Sequence, residues 1–121
     1  MASELRVNTL KDASGNNSVP MATVAEGSAK SWVNFKMAAS FVTNDSFNVA
    51  SITDNGTGDG TVNINNDMNN DDYCVTVSAQ SINVLNAEAS QAAGSFQILT
   101  YNASVAASDY QVSASVHGDL A

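Results

Sequence analysis

Two stretches of this sequence place apolar residues at every second position. Residues 73–79 have the sequence Tyr-Cys-Val-Thr-Val-Ser-Ala, and residues 110–117 have the sequence Tyr-Gln-Val-Ser-Ala-Ser-Val-His. Successive side chains of a β-strand point to opposite faces of the sheet, whereas a helix repeats every 3.6 residues. The pattern therefore predicts two strands, each with an apolar face for a core and a polar face opposite it.

Shorter patterns of the same kind predict further strands at residues 4–10, 32–37 and 95–101. The stretch 82–93 is ambiguous, because its alanines favour helix while its position between strands favours sheet. We expect a strand plus a loop there.

A β-hairpin is predicted over residues 46–65. Its apolar residues are Phe47 and Val49 in the first arm and Val62 and Ile64 in the second. Residues 54–60 form the expected tip, since their glycines and asparagine tolerate the positive φ of a tight turn. The apolar parity changes before Ile52, which predicts a β-bulge near Ala50 or Ser51.

Clusters of turn-forming residues separate these strands, and no long helical repeat lies between them. Short connections favour antiparallel pairing, because parallel strands need crossovers of about a dozen residues or more. The pattern predicts an all-β, antiparallel sandwich or barrel in one domain. Its core is thin, since 18 of the 121 residues are alanine and the chain has four Phe and one Trp. Burial against identical chains would compensate, so we expect an oligomer.

The charge of the chain restricts its partners. Twelve acidic residues against four basic ones give a net charge of −8, which repels nucleic acid and anionic lipid alike. Most of the polarity comes instead from 15 Asn and 16 Ser, whose neutral side chains suit contacts with carbohydrate or protein. The sequence begins without a signal peptide and has no membrane-spanning apolar run, so we expect synthesis in the cytoplasm and no membrane insertion.

Two loops carry candidate binding residues. In the hairpin tip they are Asp54, Asn55, Thr57 and Asp59. In the acidic loop that follows they are Asn65, Asp67, Asn69 and Asp71. Oxygen side chains at every second position are potential calcium ligands, but with Asp67 as first ligand Asp72 stands where an EF-hand requires glycine. We expect no metal, with a calcium site in this loop as the open alternative.

The chain offers little for catalysis. It has one cysteine, Cys74, which we expect to be reduced and half-buried in its strand, and one histidine, His117, which has no cysteine or second histidine with which to share a metal. No serine is singled out as a nucleophile by its spacing. We therefore expect no enzyme, no catalytic residue and no cofactor. Two distant carboxylates that meet to cleave a glycan are the enzymatic alternative.

Three aromatic residues, Trp32, Phe35 and Tyr101, are candidates for stacking on a sugar or a partner, because aromatic faces combine apolar area with a polar edge. Packing in the core is the default expectation for all three.

Five short segments together carry a family resemblance. Residues 4–15 have the sequence Glu-Leu-Arg-Val-Asn-Thr-Leu-Lys-Asp-Ala-Ser-Gly, residues 27–35 Gly-Ser-Ala-Lys-Ser-Trp-Val-Asn-Phe, and residues 45–58 Asp-Ser-Phe-Asn-Val-Ala-Ser-Ile-Thr-Asp-Asn-Gly-Thr-Gly. A Tyr73-Cys74 pair and residues 116–119, Val-His-Gly-Asp, complete the set. These segments resemble small fibre-type domains in tail proteins of marine and other environmental bacteriophages. The resemblance covers most of the chain, weakest over residues 80–93, and implies a β-rich virion domain that assembles as a trimer.

Two departures from the family pattern matter. Gly60 stands where the pattern usually has an aromatic residue, and Met1 precedes the domain almost directly instead of a fibre shaft. The second departure implies a stand-alone copy that joins another virion protein through its N-terminal strand.

Taken together, the residues and the resemblance predict an all-β, jelly-roll-like antiparallel β-sandwich that forms a homotrimer. Residues 1–30 are expected to be an N-terminal strand and attachment segment, and residues 31–121 the sandwich. The expected function is a tail-fibre-type structural protein of a bacteriophage virion that binds host glycan or surface protein through the two loops. Leu5, Val7 and Leu10 are the expected contacts to other virion proteins, by addition of their strand to a sheet edge. The alternative is a capsid decoration or adaptor protein that contacts virion proteins only.

Overall fold

The computed structural model describes residues 2–81 and 85–121. This part of the chain is mostly β, with one short helix. Its elements are β1 (Thr9–Lys11), β2 (Ser18–Pro20), α1 (Met21–Gly27), β3 (Ser31–Lys36), β4 (Val42–Phe47), β5 (Val49–Gly56), β6 (Asp59–Ile64), β7 (Cys74–Ala79), β8 (Leu85–Ala92), β9 (Ser95–Tyr101) and β10 (Gln111–His117). The prediction of an all-β, antiparallel chain is confirmed. No helix in the described ranges is long and apolar enough to cross a membrane.

The strands from β3 onward form two four-stranded sheets in which every pair is antiparallel. The first sheet has the order β4-β3-β10-β7, and the second has the order β5-β6-β9-β8. Hairpins join β3 to β4, β5 to β6 and β8 to β9 within a sheet, while β10 pairs with β3 and so brings the end of the chain beside its first long strand.

One hydrophobic cluster contains residues from both sheets. The first sheet contributes Val33, Phe35, Val112, Ala114 and Val116. The second contributes Val62, Ile64, Phe96 and Ile98. On β7, β9 and β10 the more buried and the more exposed positions alternate as the sequence predicted. The predicted strand at residues 95–101 has the observed bounds, and the predicted strands at residues 32–37 and 73–79 correspond to β3 and β7 within one residue.

The chain crosses from the first sheet to the second at Asn48. Placing Phe47 and Val49 in one hairpin arm was wrong, because Phe47 ends β4 in one sheet and Val49 begins β5 in the other. Asn48 has a φ of 55°, a left-handed conformation that asparagine tolerates better than most residues. Its side-chain amide donates to the carbonyls of Lys30 (2.9 Å) and Asn66 (3.2 Å), and its Oδ1 accepts from the N–H of Asn66 (2.8 Å). Side-chain hydrogen bonds therefore hold the crossing.

The hairpin that follows the crossing is formed by β5 and β6. Its pairing shifts register between Val49 and Ser51, so the predicted bulge near Ala50 is confirmed. The tip is shorter than predicted, because β5 continues to Gly56 and β6 begins at Asp59.

Residues 2–28 contribute no buried residue. The strand predicted over residues 4–10 was wrong in extent: β1 covers only Thr9–Lys11, and residues 4–8 lie outside any strand. A strand is stabilised by a neighbour on its sheet and by a buried face, and here only the three-residue β2 pairs with β1. The helix α1, with no buried residue either, was not predicted.

The ambiguous stretch 82–93 forms β8 from Leu85 to Ala92, which confirms a strand there. Residues 82–84 of that stretch lie outside the described residues. Ser90 has a φ of 46°, and the pairing of β8 with β9 is irregular between Ala89 and Ala92.

Tyr73 closes the end of the core beside β7. Its side chain is only 6% exposed, and its hydroxyl donates toward the carbonyls of Ala92 (2.9 Å) and Ser95 (2.8 Å). Burial raises the pKa of the Tyr73 phenol to about 12, and the negative charges of Glu88 and Asp71 act in the same direction. The phenol is therefore a neutral donor in the folded protein at ordinary pH.

Candidate binding site on the first sheet

The structure does not bring the two predicted binding loops together. The first set, Asp54, Asn55, Thr57 and Asp59, lies around the β5–β6 turn. The second set, Asn65, Asp67, Asn69 and Asp71, follows the other end of β6. The six residues of β6 separate the two sets by about 20 Å at the usual rise per residue of a strand. One compact ligand cannot contact both.

The hairpin tip is tied to the rest of the protein. The Gly58 N–H donates to the carboxylate of Asp109 (2.8 Å), and the Gly58 carbonyl accepts from the N–H of Thr100 (2.8 Å). The Asp59 carboxylate accepts from the side-chain amides of Asn55 (3.1 Å) and Gln97 (2.7 Å). The Asp54 carboxylate accepts from the Gly56 N–H (3.0 Å), so three of the four predicted contact residues bond to the protein itself, and Thr57 is exposed.

The acidic loop after β6 is held by its backbone and by one buried side chain. Met68 is 1% exposed, and its N–H donates to the carbonyl of Ala93 (2.8 Å). The Asn69 N–H donates to the carbonyl of Asp119 (2.8 Å), so the loop also pairs with the C-terminal residues. Within residues 2–81 and 85–121, no three Asp, Glu, His or Cys side chains are grouped so that they could hold a metal ion. The alternating oxygens do not supply a ligand set of that kind.

The three residues predicted to attach the chain to a partner are exposed. Leu5 is 78% exposed, Val7 37% and Leu10 43%. Leu10 stands directly opposite Val19 in the β1–β2 pair, and Val19 is 41% exposed. The N-terminal segment thus presents apolar side chains to solvent, and their role as contacts stays a prediction.

Cys74 and His117 are direct partners across β7 and β10. The expectation of a half-buried Cys74 was wrong, since the residue is exposed, and the sequence did not predict that His117 stands opposite it. The pairing was not predictable from the sequence, because the alternation along one strand defines its two faces but does not reveal which residue of another strand stands opposite.

A groove lies on the outer face of the first sheet. Its volume is about 300 Å³, and it is lined by Trp32, Val33, Asn34, Thr76, Ser78, Ser113, Ala114 and Ser115. Strand β10, which lies between β3 and β7, supplies the floor with Ser113 and Ser115, whose short side chains leave space beside the longer Trp32 and Asn34 of β3. None of the lining residues carries a charge.

The register of the first sheet arranges this face in two rows that run across the four strands. One row contains Phe47, Trp32, Ser115 and Thr76, in the order β4, β3, β10 and β7. We call it the aromatic row. The second, the amide row, contains Asp45, Asn34, Ser113 and Ser78 in the same strand order. Each row is a set of direct cross-strand neighbours, so its side chains share one face of the sheet.

The aromatic row has its rings at one end. Trp32 is 38% exposed and Phe47 is 54% exposed, although both are large apolar residues that burial would stabilise. Two neighbouring exposed aromatic side chains beside a polar groove are typical of a binding surface.

The amide row is fixed by hydrogen bonds. The Asn34 amide donates to the hydroxyl of Ser113 (2.7 Å), and its Oδ1 accepts from the side-chain amides of Asn44 (2.6 Å) and Gln111 (3.1 Å). Asn44 reaches this position because a register shift next to Asn34 leaves it unpaired between Thr43 and Asp45 on β4. The polar side chains of this row are thus held in place by their hydrogen bonds to one another.

The sequence indicated part of this site. Of the three candidate stacking residues, Phe35 is fully buried and Tyr101 is half-buried in the second sheet, whereas Trp32 is exposed in the groove. The four hydroxyl residues of the groove were not predicted: Thr76, Ser78, Ser113 and Ser115. The signal was present in the polar positions of the two best-predicted strands. Comparison with protein-family models, curated proteins and solved structures found no match for the chain.

Proposed function

We propose that this chain is a non-catalytic binding protein whose groove on the first sheet holds a neutral glycan of a bacterial surface. The observation that carries the proposal is the exposed indole of Trp32 beside uncharged hydroxyl and amide groups. An aromatic face packs against the apolar C–H face of a sugar ring, while hydroxyls and amides both donate to and accept from sugar hydroxyls. The lining offers both kinds of contact in one groove.

Charge supports a neutral ligand over an ionic one. The groove residues are uncharged, and the chain as a whole carries −8, so a polyanion would be repelled and a cationic group would find no carboxylate among the lining residues. A binding site of this type also needs no catalytic group.

We further propose that the two sheets form a jelly-roll-like β-sandwich that assembles as a trimer. Support for the sandwich comes from the hydrophobic cluster that contains residues of both sheets and from the count of eight strands in two four-stranded sheets. Support for self-association comes from the N-terminal segment, which has exposed apolar side chains and no buried residue of its own.

The biological setting that we propose is a bacteriophage virion, in which the chain serves as a tail-fibre-type protein at the host surface. This part rests on the sequence resemblance and fits the β-rich structure. A second candidate is a decoration or adaptor protein that contacts virion proteins only. The exposed Leu5, Val7 and Leu10 favour it, because apolar residues grouped in one segment are suited to a protein partner.

The binding proposal is tested with polysaccharide extracted from host cells and with neutral oligosaccharides, by calorimetry on the wild-type protein, Trp32→Ala and Val105→Ala. Val105 is 67% exposed and lies away from the groove, so it is the matched control for loss of exposed apolar surface. We expect Trp32→Ala to weaken binding by about tenfold or more, the equivalent of about 1.4 kcal/mol, and Val105→Ala to leave it unchanged. Equal binding by all three proteins, or no binding of any neutral glycan, would refute the proposal.

The two virion roles are distinguished by copy number and position. A decoration protein should approach the major capsid protein in stoichiometry on a gel of purified particles, and antibody labelling should cover the capsid. A fibre protein should be present in far fewer copies, with label confined to the tail.

A further inference from the structure

Resting on the glycan-binding function proposed above, we propose that the groove takes a linear, neutral oligosaccharide of at least three sugar rings, which lies across the strands along the aromatic row. The inference concerns the size, direction and charge of the ligand. Three features of the face lead to it.

The first feature is the length of the aromatic row. Its four residues stand on four neighbouring strands, and strands lie about 4.8 Å apart, so the row extends over about 14 Å. The spacing between strands is close to the length of one pyranose ring. A chain of three rings along the row therefore places one ring near each interval between strands, whereas a single sugar contacts only part of it.

The second feature is the change of chemistry along that row. Phe47 and Trp32 stand on β4 and β3, and the hydroxyls of Ser115 and Thr76 stand on β10 and β7. Sugar rings at the β4 end can stack on aromatic faces, and the ring at the β7 end can exchange hydrogen bonds with hydroxyls. The short Ser115 side chain on the floor lets the oligosaccharide pass from one kind of contact to the other.

The third feature is the amide row beside it. A second row on the same face lies two residues further along each strand, about 7 Å away, and it presents Asn34 and Ser113 in fixed positions. These groups face the edge of a ring that lies on the aromatic row, where the sugar hydroxyls project. Every ring of a linear oligosaccharide therefore presents hydroxyl groups to the amide row.

Charge at the end of the amide row selects among glycans. Asp45 is exposed there, and among the row residues it is the one that carries a charge. Its carboxylate accepts hydrogen bonds from neutral sugar hydroxyls but repels uronic acids and other acidic sugars nearby. We therefore expect neutral chains to bind and acidic chains of the same length to bind weakly.

The test is a titration with neutral oligosaccharides of glucose, mannose, galactose and N-acetylglucosamine, each from one to six units, with galacturonic acid oligomers as the acidic series. Trp32 is the sole tryptophan of the chain, so its fluorescence reports on the groove directly. In the neutral series that binds, we expect affinity to rise by about tenfold or more from one unit to three and then to level off.

Variants test whether the aromatic row causes the rise in affinity from one sugar unit to three. Phe47→Ala should remove most of the gain in affinity between one sugar unit and three, because it removes one of the two aromatic faces of the row. Val42→Ala is the matched control, since Val42 is 53% exposed on the same strand but outside both rows. Asp45→Asn removes the charge and keeps a side-chain oxygen that accepts hydrogen bonds, so it should strengthen binding of the galacturonic acid oligomers relative to the neutral ones.

The outcomes separate this inference from the function on which it rests. Equal affinity for one sugar and for three would overturn the extended site and leave glycan binding standing. Tighter binding of the acidic series would overturn the charge selection. If none of these sugars bound, both the inference and the proposed function would be overturned. A protein partner would then be the alternative ligand of the outer face of the first sheet.

Discussion

Two variants of Asn48 test how the chain is held where it crosses between the two sheets, because the effect of the side-chain hydrogen bonds can be separated from that of the backbone conformation. Asn48→Gly keeps the positive φ but deletes the three side-chain hydrogen bonds to Lys30 and Asn66. The bond to Lys30 is partly buried and the two to Asn66 are exposed. At about 1 kcal/mol for the buried bond and somewhat less for each exposed one, we expect a loss of about 2 kcal/mol in the free energy of unfolding.

Asn48→Ala deletes the same bonds and adds the strain of a left-handed conformation. In a comparison of the two variants, that strain of about 1 to 2 kcal/mol in the alanine variant is partly offset by the backbone entropy that the glycine variant loses on folding, roughly 0.5 to 1 kcal/mol. The alanine variant should therefore lose about 3 kcal/mol in all, clearly more than the glycine variant.

The assay is equilibrium unfolding in urea, followed by the fluorescence of Trp32. Asn69→Ala is the control, because Asn69 is an exposed loop residue whose described hydrogen bond uses its backbone N–H. It should change the free energy of unfolding by no more than about 0.5 kcal/mol. If the alanine variant were as stable as the glycine variant, the strain argument would be wrong. If both matched the control, the side-chain bonds of Asn48 would not hold the crossing.

Three further predictions test other parts of the fold. Gly58→Ala should destabilise the protein by about 3 kcal/mol or more, since an added Cβ would lie 2.4 Å from a backbone carbonyl oxygen. The control is Gly15→Ala, which is also at positive φ but has open space around it. In the same urea assay it should cost about 1 kcal/mol. Burial raises the folded-state pKa of Tyr73 from 10.0 to about 12. The contribution of the neutral phenol to the free energy of unfolding, about 2 to 3 kcal/mol, is therefore complete below pH 10 and is lost as the pH rises to about 12. Tyr73→Phe should abolish this part of the loss of stability at alkaline pH. In the His117→Cys variant, the new cysteine should form a disulfide with Cys74 on oxidation, because direct cross-strand neighbours have Cα atoms about 4.5 to 5.5 Å apart. Mass spectrometry without reductant detects the bond. Failure to form it would contradict the register of β7 and β10.

Local alternation was enough to predict most of the strands and which of their residues are buried. Val112, Ala114 and Val116 are buried as their spacing requires, and so are Phe96 and Ile98. These features depend on the geometry of one strand, in which the face of each side chain follows from its position alone. The bulge near Ala50 was predictable for the same reason, since an extra residue changes the parity of the pattern.

Features that depend on two distant segments were not predictable. The sequence around Asn48 continues an alternating pattern, so it contains no sign that the chain changes sheets there. The groove is a product of pairing in the same way, because Trp32 on β3 and Thr76 on β7 are brought to one face by β10, which comes last in the chain. A single sequence specifies faces, while tertiary pairing decides which faces meet.

The unusual composition of the chain can be understood through its sheet surfaces. On the second sheet the Asn63 amide donates to the hydroxyls of Ser51 and Thr53 (3.0 Å each), much as Asn34 bonds to Ser113 on the first. A neutral amide or hydroxyl can both donate and accept, so it can be held by its neighbours and still exchange bonds with a ligand. Lysine and glutamate in the same places would carry long flexible chains and strong hydration, and would lose more on binding a neutral sugar. We therefore regard the many asparagines and serines as what holds the side chains of these sheet surfaces in place without charge.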